Sequence, residues 1–277
     1  MGTLSAYIKL TRPLNLIIAF LSIFLGGVVS GSIDPLFKLL TACFSGTLIM
    51  AGANAINDYF DRDIDRINRP KRPIPAGQVL PLQAKTFALL LFTAGTFCGF
   101  LVHLLAGIIA VLSSVLLYYY SCRFKRMVLI GNFVVALMTA LAFVYGGLAV
   151  GRVTFALIVG LFAFLFHLAR EIIKDIEDIE GDEKLDLRTF PIVFGEKAGL
   201  RLVTAILGIL MILTLIPYMT GLFSRAYLWT VMIGVNLFLC IVMVLLWRAP
   251  QRKVFRRVAF AMKIDMFLGL LAVFLGR

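Results

Sequence analysis

Residues 82–120 decide the class of fold, and they read LQAKTFALLLFTAGTFCGFLVHLLAGIIAVLSSVLLYYY. These 39 residues hold no acidic side chain, and their only basic ones are Lys85 and His103. A membrane helix needs about 20 predominantly apolar residues to cross about 30 Å of hydrocarbon. The segment is therefore long enough for two membrane helices, and we expect a tight turn between them near His103.

Apolar segments of similar length fill most of the remaining chain. The 277 residues are 61% hydrophobic and 15% charged, with a mean hydropathy of +0.98, which excludes an ordinary soluble domain. Seven further segments reach the length of a membrane span: residues 14–29, 36–56, 128–150, 153–173, 200–219, 226–247 and 258–275. The sequence thus predicts an all-α membrane protein with nine transmembrane helices.

The distribution of lysine and arginine predicts the orientation in the membrane, because cytoplasmic segments carry the excess of both. With a cytoplasmic N-terminus, all but four of the 27 Lys and Arg residues lie in cytoplasmic segments. The four exceptions are Lys38, Arg152, Arg225 and Arg277. We therefore predict a multi-pass protein of the cell membrane with its N-terminus inside. The net charge of +12 then reflects topology and contact with the lipid bilayer, and no nucleic-acid partner is expected.

The acidic residues are concentrated in two short stretches. Of 15 acidic residues, four lie in residues 58–65, the first acidic window, and eight lie in residues 171–186, the second acidic window. Each window follows the second helix of a block of four predicted spans, and both fall on the predicted cytoplasmic side. This arrangement predicts a single domain, residues 1–277, made of two four-helix halves of about 1–126 and 127–250 and a ninth helix.

The two windows share one spacing of oxygen-bearing side chains. Positions i, i+4, i+7 and i+11 are occupied by Asn54, Asp58, Asp61 and Asp65 in the first series and by Glu171, Asp175, Asp178 and Asp182 in the second. On a helix that advances about 100° per residue, each series stays within an arc of about 60°. Each window is therefore predicted to present its oxygens on one side of a helix.

Such a series of carboxylates is unfavourable without a counterion. Like charges at i and i+4 repel each other, and unpaired charge next to the low-dielectric membrane is costly. Oxygen ligands without His or Cys partners favour Mg²⁺, which is commonly completed by water and by substrate phosphates. The amide oxygen of Asn57, beside the first series, can add to the set. The sequence predicts Mg²⁺ sites that bind a diphosphate.

Basic residues around the first window suit the same ligand. The same predicted loop as the aspartates contains Arg62, Arg66, Arg69, Lys71 and Arg72. Arginine donates paired hydrogen bonds to phosphate oxygens, and lysine acts as a point charge. Lys125, in the short loop after the fourth predicted span, can add a further cation. A charged loop that only anchors topology is the plainer interpretation, but topology gains nothing from matched carboxylate spacing.

The windows resemble the UbiA superfamily of intramembrane prenyltransferases. The family pattern NDxxDxxxD is matched by Asn57, Asp58, Asp61 and Asp65, and DxxDxxxD is matched by Asp175, Asp178 and Asp182. The RP dipeptide at residues 12–13, the RPxRPIPxG run at 69–77 and the YSxxxK run at 120–125 are also similar. The second window, REIIKDIEDIEGD, is similar to the branch that makes archaeal ether lipids.

This resemblance implies a UbiA-type bundle and a Mg²⁺-dependent reaction. A geranylgeranyl group would pass from geranylgeranyl diphosphate to the hydroxyl of geranylgeranylglyceryl phosphate. The implied metal ligands are Asn57, Asp58, Asp61, Asp65, Glu171, Asp175, Asp178 and Asp182. The implied catalytic residues are Asp61, Asp65, Asp175, Asp178 and Lys125. Contacts to the diphosphate or substrate are implied for Arg12, Asn15, Asn54, Arg66, Arg69, Arg72, Tyr120, Arg170 and Lys174.

Several roles stay open at the level of the sequence. The hydroxyl proton of the acceptor can pass to Asp175, to Asp178 or to the departing diphosphate. Lys9, Arg12, Arg170 and Lys174 are candidates for binding the acceptor's phosphate. Asn15 and Asn132 are polar residues near span starts, for which an interhelical hydrogen bond is the favoured interpretation. His167 lies about one turn before Glu171, so it either supports the metal ligands or, as we favour, is an ordinary buried histidine.

Two other functions compete with this one. The first is a UbiA-type enzyme with an aromatic acceptor, as in quinone or chlorophyll-type synthesis. The second is a cation transporter that uses intramembrane carboxylates. Both acidic windows lie at one predicted membrane face beside basic residues, which suits phosphate and argues against a transmembrane ion path. The sequence indicates no oligomeric state.

Overall fold

The computed structural model describes residues 3–184 and 187–276, and these residues form helices only. The first eight helices are α1 Thr3–Thr11, α2 Pro13–Val29, α3 Leu36–Phe60, α4 Arg62–Asn68, α5 Pro81–Val102, α6 Leu104–Cys122, α7 Ile130–Ala149 and α8 Thr154–Glu177. The remainder are α9 Ile179–Lys184, α10 Phe190–Phe194, α11 Glu196–Leu213, α12 Ile216–Met219, α13 Arg225–Thr230, α14 Leu237–Arg248 and α15 Arg252–Gly276. A 3₁₀ turn covers Phe124–Arg126, and a π-helical segment, Val231–Asn236, joins α13 to α14. Asp186, the last residue of the second acidic window, lies outside the described residues.

Eight helical segments of the described chain are long and apolar enough to cross a membrane, and a ninth is added if one bent pair of helices is a single span. Eight are single or continuous helical stretches: Leu36–Phe60, Pro81–Val102, Leu104–Cys122, Ile130–Ala149, Thr154–Glu177, Glu196–Met219, Arg225–Arg248 and Arg252–Gly276. The ninth is the pair Leu4–Thr11 and Pro13–Val29, which is bent by 49° at Arg12. By length and composition the described chain thus has eight spans, or nine if this bent pair is one span, which agrees with the predicted all-α membrane bundle.

The break between α1 and α2 follows from two neighbouring residues. Pro13 occupies the first turn of α2, where its missing N–H costs nothing and its ring fixes the backbone for a helix start. Arg12 adopts φ 53° and ψ 76°, in the left-handed region that a non-glycine residue rarely occupies. Such strain persists only where surrounding contacts hold it, so Arg12 is a candidate functional residue.

The predicted turn near His103 is also confirmed. This residue lies between the end of α5 and the start of α6 in an extended conformation, with φ −169°. Its ring Nδ1 accepts a hydrogen bond of 3.1 Å from the backbone N–H of Leu105. The side chain therefore satisfies one of the free N–H groups at the start of α6.

Two compact units account for the described chain. The first comprises residues up to Lys125 together with Leu141–Leu157, and the second comprises Arg126–Ala140 together with residues from Ile158 onward. The first unit contains the first acidic window, and the second unit contains the second window. The predicted division into two four-helix halves and a ninth helix stays a prediction.

Close approach of helices in the first unit depends on small residues. A side chain added to Gly95 in α5 would meet the backbone oxygen of Ser45 in α3 at 2.9 Å. The Ser45 hydroxyl lies 2.7 Å from the Gly95 carbonyl oxygen, to which it donates, and 2.8 Å from the hydroxyl of Tyr145. This buried polar cluster ties three helices together where lipid provides no hydrophobic drive for association.

Buried polar contacts serve the same purpose in the second unit. The hydroxyl of Tyr227 donates to the backbone oxygen of Thr214 at 2.7 Å. Asn236, at the end of the π-helical segment, donates to the Thr214 hydroxyl at 3.2 Å. Arg170 of α8 donates through Nε to the backbone oxygen of Ala259 in α15 at 3.0 Å. These bonds connect spans that a purely apolar interface would leave free to slide.

Candidate active site

Both acidic windows are nearly continuous helices, as their spacing predicts. The first changes from α3 to α4 at Asp61, and the second changes from α8 to α9 at Asp178. The amide of Asp61 still donates to the oxygen of Asn57 at 2.9 Å, and that of Asp178 donates to Lys174 at 3.0 Å. Because the i to i−4 bonding persists through each break, both series stay on one side of the chain.

Three carboxylates of the first window are each held by a cation. Arg12 Nη2 donates to Asp58 Oδ1 at 2.5 Å, and Arg72 Nη1 donates to the same oxygen at 3.1 Å. Arg72 also donates to Asp65 Oδ2 at 2.6 Å. Lys125 Nζ forms a close ion pair with Asp61 Oδ1. Since Asp58 and Asp65 are buried, the cations offset a desolvation cost that unpaired carboxylates would carry.

Amide side chains complete the first window. Asn57 donates to Asp61 Oδ2 at 3.0 Å, and its own oxygen accepts a 3.3 Å bond from Lys125. Asn54 donates to the backbone oxygen of Thr11 at 2.8 Å, at the point where α1 ends. Asn15 donates to Asn54 Oδ1 at 3.4 Å, which is the interhelical bond expected for Asn15. The asparagines therefore fix both the carboxylates and the bend that presents Arg12.

A cavity of about 550 Å³ adjoins these carboxylates. It is lined by Lys9, Arg12, Asp58, Asn68, Arg69, Pro70, Lys71, Arg72 and Pro73. Five basic side chains therefore face one carboxylate, and this excess of positive charge suits an anionic ligand. We call this space the basic cavity.

The loop that supplies most of the basic cavity is anchored by buried apolar residues. Ile74 and Val79 are buried in the same cluster as Ile56 of α3. Gly77 has φ +69°, a conformation in which a side chain would be strained, and its amide donates to the oxygen of Ile74 at 3.0 Å. The tight turn therefore holds Arg69, Lys71 and Arg72 beside Asp58 instead of leaving them in a mobile loop.

The second window is organised by different partners. Asn132 of α7 donates to Asp175 Oδ2 at 2.8 Å, which is the interhelical bond expected for Asn132. Glu171 accepts from Arg170 at 2.9 Å and from Lys174 at 2.7 Å. Asp178 is exposed. Burial, and secondly the nearby Asp178 carboxylate, raise the pKa of Asp182 to about 6, while Lys174 opposes the shift.

Several acidic residues outside the series make ion pairs with arginines. In the second window, Glu177 binds Arg256 at 2.7 Å and Glu180 binds Arg252 at 2.9 Å. Among the residues that the structure describes, no salt bridge involves Asp175, Asp178 or Asp182. The carboxylates at the matched spacing are thus set apart from those that merely pair with surface arginines.

Comparison with known proteins places this arrangement in a family. A model described as the UbiA prenyltransferase family matches residues 15–271. The chain belongs to this family. It is 35% identical over 273 residues to the digeranylgeranylglyceryl phosphate synthase of Methanothermobacter thermautotrophicus, covering 99% of this chain and 96% of that protein.

Solved structures agree with the assignment. One described as a digeranylgeranylglyceryl phosphate synthase in membranes is similar with a TM-score of 0.90 at 34% identity, covering 100% of this chain and 99% of that one. A UbiA homologue from Archaeoglobus fulgidus, solved with DMAPP and Mg²⁺, has a TM-score of 0.74 at 20% identity, covering 96% and 98% of the two chains. The latter likeness demonstrates the shared UbiA fold. The protein is a multi-pass membrane prenyltransferase, as the sequence motifs indicated.

The donor set of this UbiA-family protein fits Mg²⁺, although its carboxylates do not yet converge. Across residues 3–184 and 187–276, no group of three His, Cys, Asp or Glu side chains is arranged to hold a metal ion. The reason in the first window is direct: Asp58, Asp61 and Asp65 are turned towards Arg12, Arg72 and Lys125. Carboxylate and amide oxygens on one helical side are suitable Mg²⁺ ligands once those cations move to a phosphate.

The other residues that were predicted to contact the diphosphate or substrate have different surroundings. Arg69 lines the basic cavity, whereas Arg66 is exposed and pairs with Asp63 at 3.2 Å. Tyr120 is partly buried near the end of α6. Arg170 is held between Glu171, to which Nη1 donates, and the backbone of Ala259, to which Nε donates. These four roles remain predictions.

Some residues of the site are not predictable from the sequence. Asn68 lines the basic cavity, but a lone asparagine before an Arg-Pro pair resembles an ordinary helix end. The bond from Asn132 to Asp175 joins residues 43 positions apart, and the only signal for it was a polar residue in an apolar span. The left-handed conformation of Arg12 has no signature in the sequence except the proline that follows it.

Proposed function

We propose that the protein catalyses Mg²⁺-dependent transfer of a geranylgeranyl group from geranylgeranyl diphosphate to the free hydroxyl of geranylgeranylglyceryl phosphate. The product would be digeranylgeranylglyceryl phosphate, the activity named for its full-length relatives. The observation that carries the proposal is the first window, where each buried carboxylate is paired with a cation beside a cavity that has excess positive charge.

Exchange of counterions explains how the first window binds its ligand. Asn57, Asp58, Asp61 and Asp65 would hold Mg²⁺, which would supply positive charge to the leaving diphosphate. Arg72 and Lys125 would then leave the carboxylates and become available to phosphate oxygens. Arg72 suits paired hydrogen bonds, and Lys125 suits a single strong contact. Opposite charges are therefore matched before and after the ligand binds.

The reaction requires one bond to break and one to form. The C1–O bond of the donor breaks, and its electron pair leaves with the diphosphate, whose charge Arg72 and Lys125 neutralise. The resulting allylic cation is delocalised and is protected from water by the surrounding apolar helices. The acceptor hydroxyl oxygen then bonds to C1 and loses its proton.

The basic cavity can accommodate the phosphate of the acceptor. Lys9, Arg12, Arg69 and Lys71 line it together with Asp58, and a phosphate monoester carries about two negative charges. An acceptor with a carboxylate and no phosphate would use this charge less fully. The excess of cations therefore favours the glyceryl phosphate over an aromatic acid.

The reaction is proposed to take place at the cytoplasmic face, where the distribution of Lys and Arg places both windows. A cysteine introduced at exposed Arg257, on the predicted cytoplasmic side, should not react with a membrane-impermeant maleimide added to intact cells. A cysteine introduced at exposed Arg225, on the predicted outer side, should react. The reverse labelling pattern would refute this orientation.

A product assay tests the proposed reaction. Protein purified in detergent is incubated with Mg²⁺, radiolabelled geranylgeranyl diphosphate, and either geranylgeranylglyceryl phosphate or 4-hydroxybenzoate. Labelled product is expected with the glyceryl phosphate and should disappear when EDTA removes the metal. Product with only the aromatic acid would instead assign the protein to quinone-type synthesis.

A further inference from the structure

The connection from α14 to α15 carries a dense group of basic residues. Residues 248–257 read RAPQRKVFRR, with five lysines or arginines and no acidic side chain, and no acidic residue follows before Asp265. All five basic residues are exposed. We call this stretch the basic segment. A cluster of about four to eight Lys or Arg residues at the end of a membrane helix is typical of contact with anionic lipid headgroups.

Only part of the basic segment is neutralised by the protein itself. Arg252 and Arg256 are taken up by the two glutamates of the second window described above. Among the residues that the structure describes, no ion pair or hydrogen bond involves the side chains of Arg248, Lys253 or Arg257. Orientation in the membrane depends on the number of cations, and it gives no reason for this division.

Two of these unpaired cations continue into an exposed apolar stripe on α15. Lys253, Arg257, Phe260, Ile264 and Phe267 follow the series i, i+4, i+7, i+11 and i+14, which stays within an arc of about 80°. We call these five residues the α15 face. Phe260 and Phe267 are 63% and 64% exposed. The buried residues of α15 include Phe255, Val258, Met262 and Val273, which lie on the opposite side of the helix.

The dimensions of the α15 face match one leaflet of a bilayer. At a rise of about 1.5 Å per residue, the ten residues from Arg257 to Phe267 extend about 15 Å, half of the roughly 30 Å of hydrocarbon. Trp247, in the last turn of α14, is 44% exposed, and tryptophan is enriched at the level of the headgroups. A lipid with its headgroup at the cations would therefore lay its chains along the apolar part of the face.

We propose that the α15 face binds a membrane lipid with an anionic, phosphate-bearing headgroup. The phosphate lies between Lys253 and Arg257, and the chains run along Phe260 towards Phe267. Arginine suits paired hydrogen bonds to phosphate oxygens, and lysine adds a point charge. The site uses residues of the second compact unit alone and takes no part in prenyl transfer, so it goes beyond the proposed function.

Other occupants suit the α15 face less well. A soluble anion such as free phosphate would leave Phe260, Ile264 and Phe267 unused. A second copy of the chain, related by a two-fold axis along the membrane normal, would bring both pairs of cations together at one membrane surface. Helix pairs in membranes also favour small residues at their contacts, which let the backbones approach closely. A lipid satisfies the charged end and the apolar stripe together.

A fluorescent reporter on the face tests the proposal. The chain has two tryptophans, so Phe260→Trp combined with Trp229→Phe and Trp247→Phe leaves one indole, on the α15 face. The full chain is reconstituted in vesicles of phosphatidylcholine that contain brominated phosphatidylglycerol or brominated phosphatidylcholine, whose bromine quenches an indole on contact. We expect the anionic lipid to be preferred by about fivefold or more in relative association constant.

A second reporter shows whether the preference belongs to this face. Trp247→Phe alone leaves Trp229, which is 64% exposed near the other end of the span Arg225–Arg248. The preference measured there should be no more than about twofold, because the basic segment lies at the opposite end of that span.

Paired variants of the Phe260→Trp reporter separate the face from the total charge of the segment. Lys253→Gln with Arg257→Gln should reduce the preference to about twofold or less. Arg252→Gln with Arg256→Gln removes the same charge from the same turns of α15, but from cations that already bind glutamates, and should retain most of the preference. Lys253→Arg with Arg257→Lys keeps both charges and should also retain it.

Three results would overturn the assignment. Equal losses in the two glutamine pairs would mean that only the total charge of the segment matters. Loss of the preference in excess inorganic phosphate, at ionic strength matched with NaCl, would identify a free anion as the ligand. No quenching by either lipid would mean that another copy of the chain covers the face. None of these readouts measures turnover, so failure of the lipid site and failure of the proposed reaction are distinguishable.

Discussion

Asp61 has two oxygens with different partners, and this division makes it the most informative residue of the first window. Oδ1 pairs with Lys125, and Oδ2 accepts from Asn57. The Asp61→Asn variant should reduce turnover by at least about a hundredfold, because it removes a negative charge from the proposed metal site and leaves Lys125 without its carboxylate. Turnover under saturating substrate and Mg²⁺ measures the effect.

Asp63 provides a matched control for that substitution. It lies in the same window, but it is exposed, pairs with Arg66 and lies outside the i, i+4, i+7 series. Asp63→Asn removes the same charge from the same acidic window and should keep turnover within about twofold, since exposed ion pairs contribute little. Equal losses of turnover in the two variants would mean that activity depends on the total negative charge of the window and not on the helical series of carboxylates.

Lys125 should act on the donor more than on the acceptor. A hydrogen bond to a charged group contributes about 1.5–3 kcal/mol, so Lys125→Ala should raise KM for the diphosphate donor by about tenfold to a hundredfold. KM for the acceptor should change by no more than about twofold. Lys125→Arg retains the charge and should recover part of the loss. If KM for both substrates rises equally, Lys125 does not belong to the diphosphate site.

At the scale of the helix, the approach of α2 to α7 depends on the absence of a side chain at Gly26. An added Cβ would lie 2.8 Å from the backbone carbon of Phe143, which a flexible side chain cannot relieve. Gly26→Ala should therefore lower stability by about 1–3 kcal/mol through overpacking. Gly208→Ala, at a helical position with nothing within 4 Å, should instead leave stability unchanged or raise it. Thermal unfolding in detergent distinguishes the two, and equal behaviour would contradict the packing argument.

Helices and their acidic faces were predictable from the sequence because each depends on local periodicity. The spacing of Asp58, Asp61 and Asp65 survives the break at Asp61, since i to i−4 bonding continues through it. Tertiary partners were not predictable in the same way. Nothing in the local pattern tells that Arg12, 46 residues away, reaches Asp58, or that Met266 lies against His167. Those contacts depend on how whole helices pack.

For the whole molecule, the pairing of cations with carboxylates links the binding of Mg²⁺ to the binding of diphosphate. In the proposed mechanism, a metal at the first window would release Arg72 and Lys125 and so improve the site for the anion, and by linkage the anion would improve the site for the metal. Mg²⁺ and inorganic diphosphate together should therefore raise the midpoint of thermal unfolding by more than the sum of their separate effects. The surplus should persist in Asp63→Asn and vanish in Asp61→Asn. Strictly additive shifts in the wild-type protein would show that Arg72 and Lys125 do not exchange carboxylate partners for phosphate. Such a result would contradict the proposed mechanism of ligand binding.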